Sequence, residues 1–181
     1  MRAALLLCLL AVSARADGRP PEWAQPVTVE GVDNLHRVTP TLYRSRQPTR
    51  AGMANLEKLG VRTVINLRAF DSDTDEIAGT GLREVHVGVL TWWVRDKHVV
   101  AVLKALRRRE DGPFLIHCQH GADRTGLMVA MFRLVEQGWT KEAALKELRE
   151  GGYGFHAQWK NIVRYIEKVD VARMKARVDA P

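Results

Sequence analysis

Short apolar runs alternate with stretches of helical periodicity along most of the chain. Residues 61–67, rich in β-branched side chains, read as a buried strand, and residues 35–38, 42–44, 82–87 and 113–116 read as further short strands. Residues 48–59 carry Met53, Leu56 and Leu59 at helical spacing, with Thr49 placed to start the helix and Gly60 to end it. Residues 97–109 put Val99, Val102, Leu103 and Leu106 on one face of a second helix, and three more helices are predicted near residues 125–137, 140–149 and 156–169. Between them, residues 71–81 are acidic and irregular, a composition that usually marks solvated surface. Strands alternating with helices predict an α/β domain: a small central sheet, mixed but largely parallel, flanked by helices. Ligands of such sheets sit at the carboxyl ends of the strands.

One strand-to-helix junction carries a distinctive set of side chains. Residues 117–125 read His117, Cys118, Gln119, His120, Gly121, Ala122, Asp123, Arg124, Thr125. A tight loop between a strand and a helix N-terminus is an anion site, because free N–H groups and the positive end of the helix dipole converge on it. A cysteine held there is favoured as thiolate. Cys118 is therefore expected to be a nucleophile that takes a phosphoryl group onto sulfur. Arg124 offers a planar fork that binds two phosphoryl oxygens, which lysine cannot reproduce. Gly121 lets backbone N–H groups turn inward without a Cβ in the way. The remaining loop positions, Gln119, His120, Ala122 and Asp123, complete the phosphate cradle. Thr125 is placed to hydrogen-bond the sulfur, His117 to orient the loop, and Gly126 to let the helix pack closely on the strand.

The loop pattern of His117, Cys118, five residues, Arg124 and Thr125 resembles the signature of the cysteine-based protein tyrosine and dual-specificity phosphatases. The likeness extends to Leu42, Tyr43, Arg44, Ser45, Arg46, Gln47, Pro48 and Thr49, and to residues 59–68, which look like the opening of the atypical dual-specificity phosphatases of bacteria, plants and fungi. It covers about residues 34–170. It implies a dual-specificity-phosphatase-like fold and hydrolysis of phosphate monoesters with no metal and no cofactor.

Such chemistry needs a general acid to protonate the leaving oxygen. Asp96 is the first candidate: it lies 22 residues before Cys118, where an aspartate stands in the plant and fungal relatives, and it would also serve as a helix N-cap. Asp123 is the rival, with a competing role of holding Arg124 or the loop backbone; an aspartate there also resembles the loops of myotubularin and Sac lipid phosphatases. Asp71, Asp73, Asp75 and Glu76 form a third source, as a lid or as plain surface. The chain has no Trp-Pro-Asp motif.

Substrate choice is less legible. Phosphorylated proteins (on tyrosine, serine or threonine) are the expected substrates; inositol polyphosphates or phosphoinositides are the alternative, since His120 can add charge beside the cradle. Arg68 either reaches the same edge or pairs with Asp71 or Asp73. Trp92, Trp93 and Trp159 either wall the site or, as aromatics at such spacings more often do, belong to the core. A phosphate-binding module without activity is the reading from a different class, but binding alone needs no thiol; a sulfurtransferase loop fits the His117–Cys118 start and Arg124–Thr125 end less well.

The amino terminus stands apart. Arg2 precedes an apolar run over residues 3–12, too short to span a bilayer, and Ala14-Arg15-Ala16 completes the pattern of a secretory signal peptide cleaved after Ala16. Cleavage removes Cys8 and leaves Cys118 as the single thiol, so no internal disulfide can form. The expected organisation is a signal peptide at 1–16, an extended lead-in at 17–33, a phosphatase domain at 34–172 and a tail at 173–181, in a periplasmic or secreted monomer with no integral membrane span. The formal charge of +7 suits a phosphate-rich substrate. Nucleic acid is a poor partner, because Arg107, Arg108 and Arg109 are the only basic run and read as a solvated helix end.

Overall fold

The computed structural model of the protein describes residues 18–181; the expected signal peptide and Cys8 lie outside them. Six strands form one sheet: β1 (Gln25–Pro26), β2 (His36–Thr39), β3 (Leu42–Ser45), β4 (Thr63–Asn66), β5 (Arg83–His86) and β6 (Phe114–His117). Their spatial order is β1-β2-β3-β6-β4-β5. The first three pair antiparallel, and β3, β6, β4 and β5 pair parallel. The sheet is thus mixed and largely parallel, as the alternating pattern implies. β3, β4 and β6 are buried at every position, which central strands covered on both faces must be.

Side-chain alternation divides the core into two. Leu42, Ile65, Phe114 and Ile116 face one cluster, and Tyr43, Val64 and Leu115 face the other with Met53 and Leu56. Those last two come from α1 (Arg50–Lys58), whose cap is Thr49: its hydroxyl accepts from Gly52 N at 3.0 Å. Leu59, expected on the buried face, is exposed because the helix ends before it. The larger cluster is built by α3 (Asp96–Arg107), α4 (Asp123–Glu136), α5 (Lys141–Glu150), α6 (Lys160–Lys168) and α7 (Val171–Asp179). α4 is the central helix and is buried along most of its length.

Three expectations change here. The segment read as a tail is helix α7, which buries Met174 and Val178 and pairs Asp179 with Arg107. The basic run stands at the end of α3 with Arg108 and Arg109 exposed, as expected, but it is paired: Arg107 also binds Glu136, and Arg108 pairs with Asp111. The acidic segment contains a short helix, α2 (Thr74–Ile77), and turns Asp73 fully inward. Among the described residues no helix is long and apolar enough to cross a membrane.

The sheet margin carries a titrating group. His36 packs edge-on against Tyr153, and burial, opposed by its hydrogen bond to Asn34 O, lowers it to about 4. Folded, it is neutral at pH 5, whereas the unfolded chain binds a proton there. Stability is therefore full above about pH 6.5 and is lost as pH falls towards 4, by about 2–3 kcal/mol. Urea unfolding across this range should show that slope, and His36→Phe should flatten it; an unchanged slope in the variant would remove His36 as the cause.

Candidate active site

β6 ends at His117 and α4 begins at Asp123, so residues 118–122 form a loop at the carboxyl end of a central strand, with β3 and β4 on either side. The N–H groups of the first turn of α4 have no partners within the helix and open towards this loop. Cys118 is 2% exposed and is the free cysteine among the described residues. Ala122 and Gly121 are buried, while Gln119 and His120 are exposed.

The loop's curvature depends on Gly121. Its φ is +70°, and a Cβ there would stand 2.4 Å from Arg46 N. Its carbonyl accepts from Arg44 Nη2 at 2.8 Å, so the next peptide N–H, across a trans bond, points away from Arg44. Arg44 itself is 1% exposed and lies over the Tyr153 ring at 3.7 Å. Burial lowers its proton affinity, and the Glu147 carboxylate offsets part of that. A second brace is Asn34, whose amide donates to His120 O and Tyr153 O.

Arg124 extends from the first turn of α4 and donates through Nη1 to Leu67 O and Val89 O, each at 3.2 Å. These carbonyls belong to the connections leaving β4 and β5, so one guanidinium ties the loop to both. Thr125 is fully buried, and its hydroxyl makes no hydrogen bond; the expected bond to Cys118 Sγ is not formed. A buried unpaired hydroxyl costs about 1–3 kcal/mol, a kind of defect that functional sites retain. Gly126 faces helix α5 rather than the strand: a Cβ would meet Leu148 Cδ1 at 2.4 Å.

His117 and Asp73 are both fully buried, with Nε2 and Oδ2 2.6 Å apart. Asp73 Oδ1 also accepts from Arg68 Nη2 and Gln47 Nε2, each at 2.9 Å. These donors hold its carboxyl below the usual carboxylate range against the opposing effect of burial, with the His117 bond the largest of them. Arg68 thus pairs with Asp73 instead of lining the site edge.

The aspartates proposed as acids have other partners. Asp123 does not hold Arg124 or the loop backbone; its Oδ1 accepts from His156 N at 2.9 Å and its Oδ2 lies 2.9 Å from His156 Nδ1. It fastens the α5–α6 connection to the start of α4 and brings the His156 ring to 5.7 Å from that of His120. Asp96 is the first residue of α3, and Arg95 occupies the cap position assigned to it. Its carboxylate accepts from Tyr165 Oη at 2.8 Å and pairs with Arg177. Burial and Asp96 together push the Tyr165 hydroxyl well above its ordinary range.

Two cavities separate these groups. One, of about 380 Å³, is lined by His120 and Ala122 with Asn34, Arg46, Tyr153 and His156. Asp96 lines another, of about 470 Å³, with Asn161, Arg164, Tyr165 and Met174. The structure brings Cys118, His117, Arg124 and Thr125 together on one loop and helix turn, and turns Asp96 towards α6 and α7. Trp92 and Trp93, read chiefly as core, are 65% and 51% exposed on the connection after β5, with Arg95 stacked 3.7 Å from the Trp93 ring. Trp159 is half-buried against the core. Sequence reasoning missed Arg44 and Asn34 as parts of the site; it named Asp73 as a candidate acid and as a partner of Arg68, but not as the partner of His117. Arg44 lies within the segment 42–49 that carries the family likeness, which was the available signal; Asn34 had none.

The family model for a DSP-PTPase phosphatase fused to NAD+ kinase matches residues 21–164. The dual specificity protein phosphatase TpbA of Pseudomonas aeruginosa is 40% identical over 154 residues, covering 84% of this chain and 69% of that protein. A crystal structure of a TpbA variant in complex with phosphotyrosine superposes with a TM-score of 0.81 at 36% identity, covering 90% of this chain and 99% of that one. An inositol diphosphatase of Arabidopsis thaliana is 29% identical over 153 residues, covering 78% and 72% of the two chains.

Proposed function

The chain belongs to the dual-specificity-type cysteine phosphatases, and from that premise we propose that it hydrolyses phosphate monoesters of proteins, phosphotyrosine foremost, through a phosphocysteine intermediate. The observation that carries the reading is Cys118 at the end of β6, on a loop that meets the N-terminus of α4 and is followed by Arg124. Sγ attacks phosphorus as the bond to the leaving oxygen breaks, and an acid protonates that oxygen. Water then displaces sulfur, releasing phosphate and restoring the thiolate. Arg124 meets the equatorial oxygens, and the loop N–H groups share the charge that develops on them.

We propose Asp96 as the acid on the strength of the family likeness, although its carboxylate here faces a cavity other than the one beside the loop. Its carboxylate is engaged by Tyr165 and Arg177, so protonating a leaving group requires that pair to open. Asp96→Asn should lower kcat on an alkyl phosphate by roughly 10²-fold, and far less on a nitrophenyl phosphate, whose leaving group needs no proton. Equal rates for variant and wild type on the alkyl ester would transfer the role to another group, and Asp123→Asn is the comparison.

A second reading is an inositol polyphosphate or phosphoinositide substrate. His120, His156 and Arg46 beside the cradle favour it, as they could meet a second phosphate. Phosphate release from phosphotyrosine peptides, phosphoserine peptides, phosphoinositides and inositol polyphosphates decides between the two. The highest kcat/KM on phosphotyrosine peptides is the result expected. We further propose export to the periplasm or medium, on the strength of the apolar run and the Ala14-Arg15-Ala16 pattern; amino-terminal sequencing of exported protein should begin at Asp17.

A further inference from the structure

Among the buried hydrogen-bonded pairs that the mechanism above leaves unused is that of Asp73 with His117. Asp73 gathers donors from the carboxyl ends of three adjacent strands: Gln47 beyond β3, Arg68 beyond β4, and His117 at the end of β6. Its own N–H donates to Glu84 Oε1, and the carbonyl of Arg68 lies 2.6 Å from His86 Nε2. Arg68, Glu84, His86 and the neighbouring Cys118 are thus the ionisable groups around the pair. His117 Nδ1 is buried and makes no hydrogen bond.

We propose that Asp73 is a positioning residue for the nucleophile, acting through His117. A carboxylate can only accept, so it keeps a proton on Nε2 and fixes the ring in one orientation, directly before Cys118. The ring's other nitrogen then need not donate into a place with no acceptor. Were the proton moved to Nδ1, a buried donor would be left unpaired, and the ring or the loop would have to shift. Cys118 follows in the chain and would shift with it, which affects in-line attack more than ground-state binding. The inference rests on the phosphatase reading.

Asp73→Asn separates this role from a purely structural one. The asparagine oxygen can keep Arg68 and Gln47, while its NH₂ faces Nε2 and forces that nitrogen to accept. The clip between strands is retained and the tautomer is inverted. The expected result is a fall in kcat of roughly tenfold to a hundredfold, with KM and the inhibition constant for inorganic phosphate held close to wild type and the thermal midpoint lowered by no more than the unpaired Nδ1 donor costs. The pH dependence of Cys118 alkylation by iodoacetamide should also be displaced. Wild-type kcat together with an unmoved alkylation profile would overturn the proposal. Should the variant not fold, imidazole ¹⁵N spectra of the wild-type protein decide: a proton on His117 Nε2 at neutral pH supports the role, and an unprotonated Nε2 overturns it. A wild-type protein that hydrolyses no phosphate ester would sink the phosphatase reading instead, while the spectra would still report on the pair.

Discussion

Cys118→Ser is expected to abolish turnover of an aryl phosphate while leaving ester binding within a few-fold of wild type. The loss should be on the order of 10⁴–10⁶ in kcat, the scale seen when a nucleophile is removed from an otherwise intact site. The change is nearly isosteric, so the cradle formed by Gly121, Arg44 and the start of α4 should persist. Serine in that place lacks a base to activate it: His117, the adjacent imidazole, is committed to Asp73. Equilibrium binding of the substrate to the variant, with phosphate release followed in parallel, checks both halves. Residual turnover within tenfold of wild type would place the chemistry elsewhere.

Arg124→Lys is the second large effect. The guanidinium donates to Leu67 O and Val89 O through one nitrogen, leaving the rest of the fork for an anion. An ammonium has three donors on one nitrogen but no planar fork, so it cannot brace these carbonyls and also present two parallel N–H groups to phosphoryl oxygens. Charge is preserved, so the expected fall of roughly 10³-fold in kcat/KM measures geometry rather than net charge. Both kcat and affinity for inorganic phosphate should suffer, because the same fork binds ground and transition states. A variant that keeps wild-type kcat/KM would mean that Arg124 only braces the β4 and β5 connections.

Much of this site was legible because its parts are local. Strand, loop and helix lie within residues 114–136, and each has a strong pattern of its own: an apolar run, a glycine where a Cβ has no room, and a helix start. What escaped reading depends on contacts distant in sequence. Asp73 sits among Asp71, Asp75 and Glu76, and nothing local distinguishes the carboxylate that turns inward; only β4 and β6 lying side by side bring Arg68 and His117 to it. Arg44 is a charged residue on a strand, a type that reads as exposed, yet it is buried under the loop because Tyr153 and Gly121 O receive its guanidinium. Asp123 was read through its chain neighbour Arg124, but the partner it takes is His156. Trp92 and Trp93 misled in the opposite sense: aromatic side chains suggest core, and these two stand exposed on a connection at the same edge of the sheet as Cys118. Residues 173–181 read as a tail because they are basic and carry few apolar side chains, yet two of these, Met174 and Val178, anchor α7 in the core.

The central claim is that phosphate passes through sulfur. Its most direct measurement is acid quench of the wild-type enzyme within the first turnover of a ³²P-labelled aryl phosphate, followed by peptide mapping. The account predicts a burst of leaving group matched by label on the peptide containing Cys118. Complete turnover with no burst and no label on that peptide would contradict it.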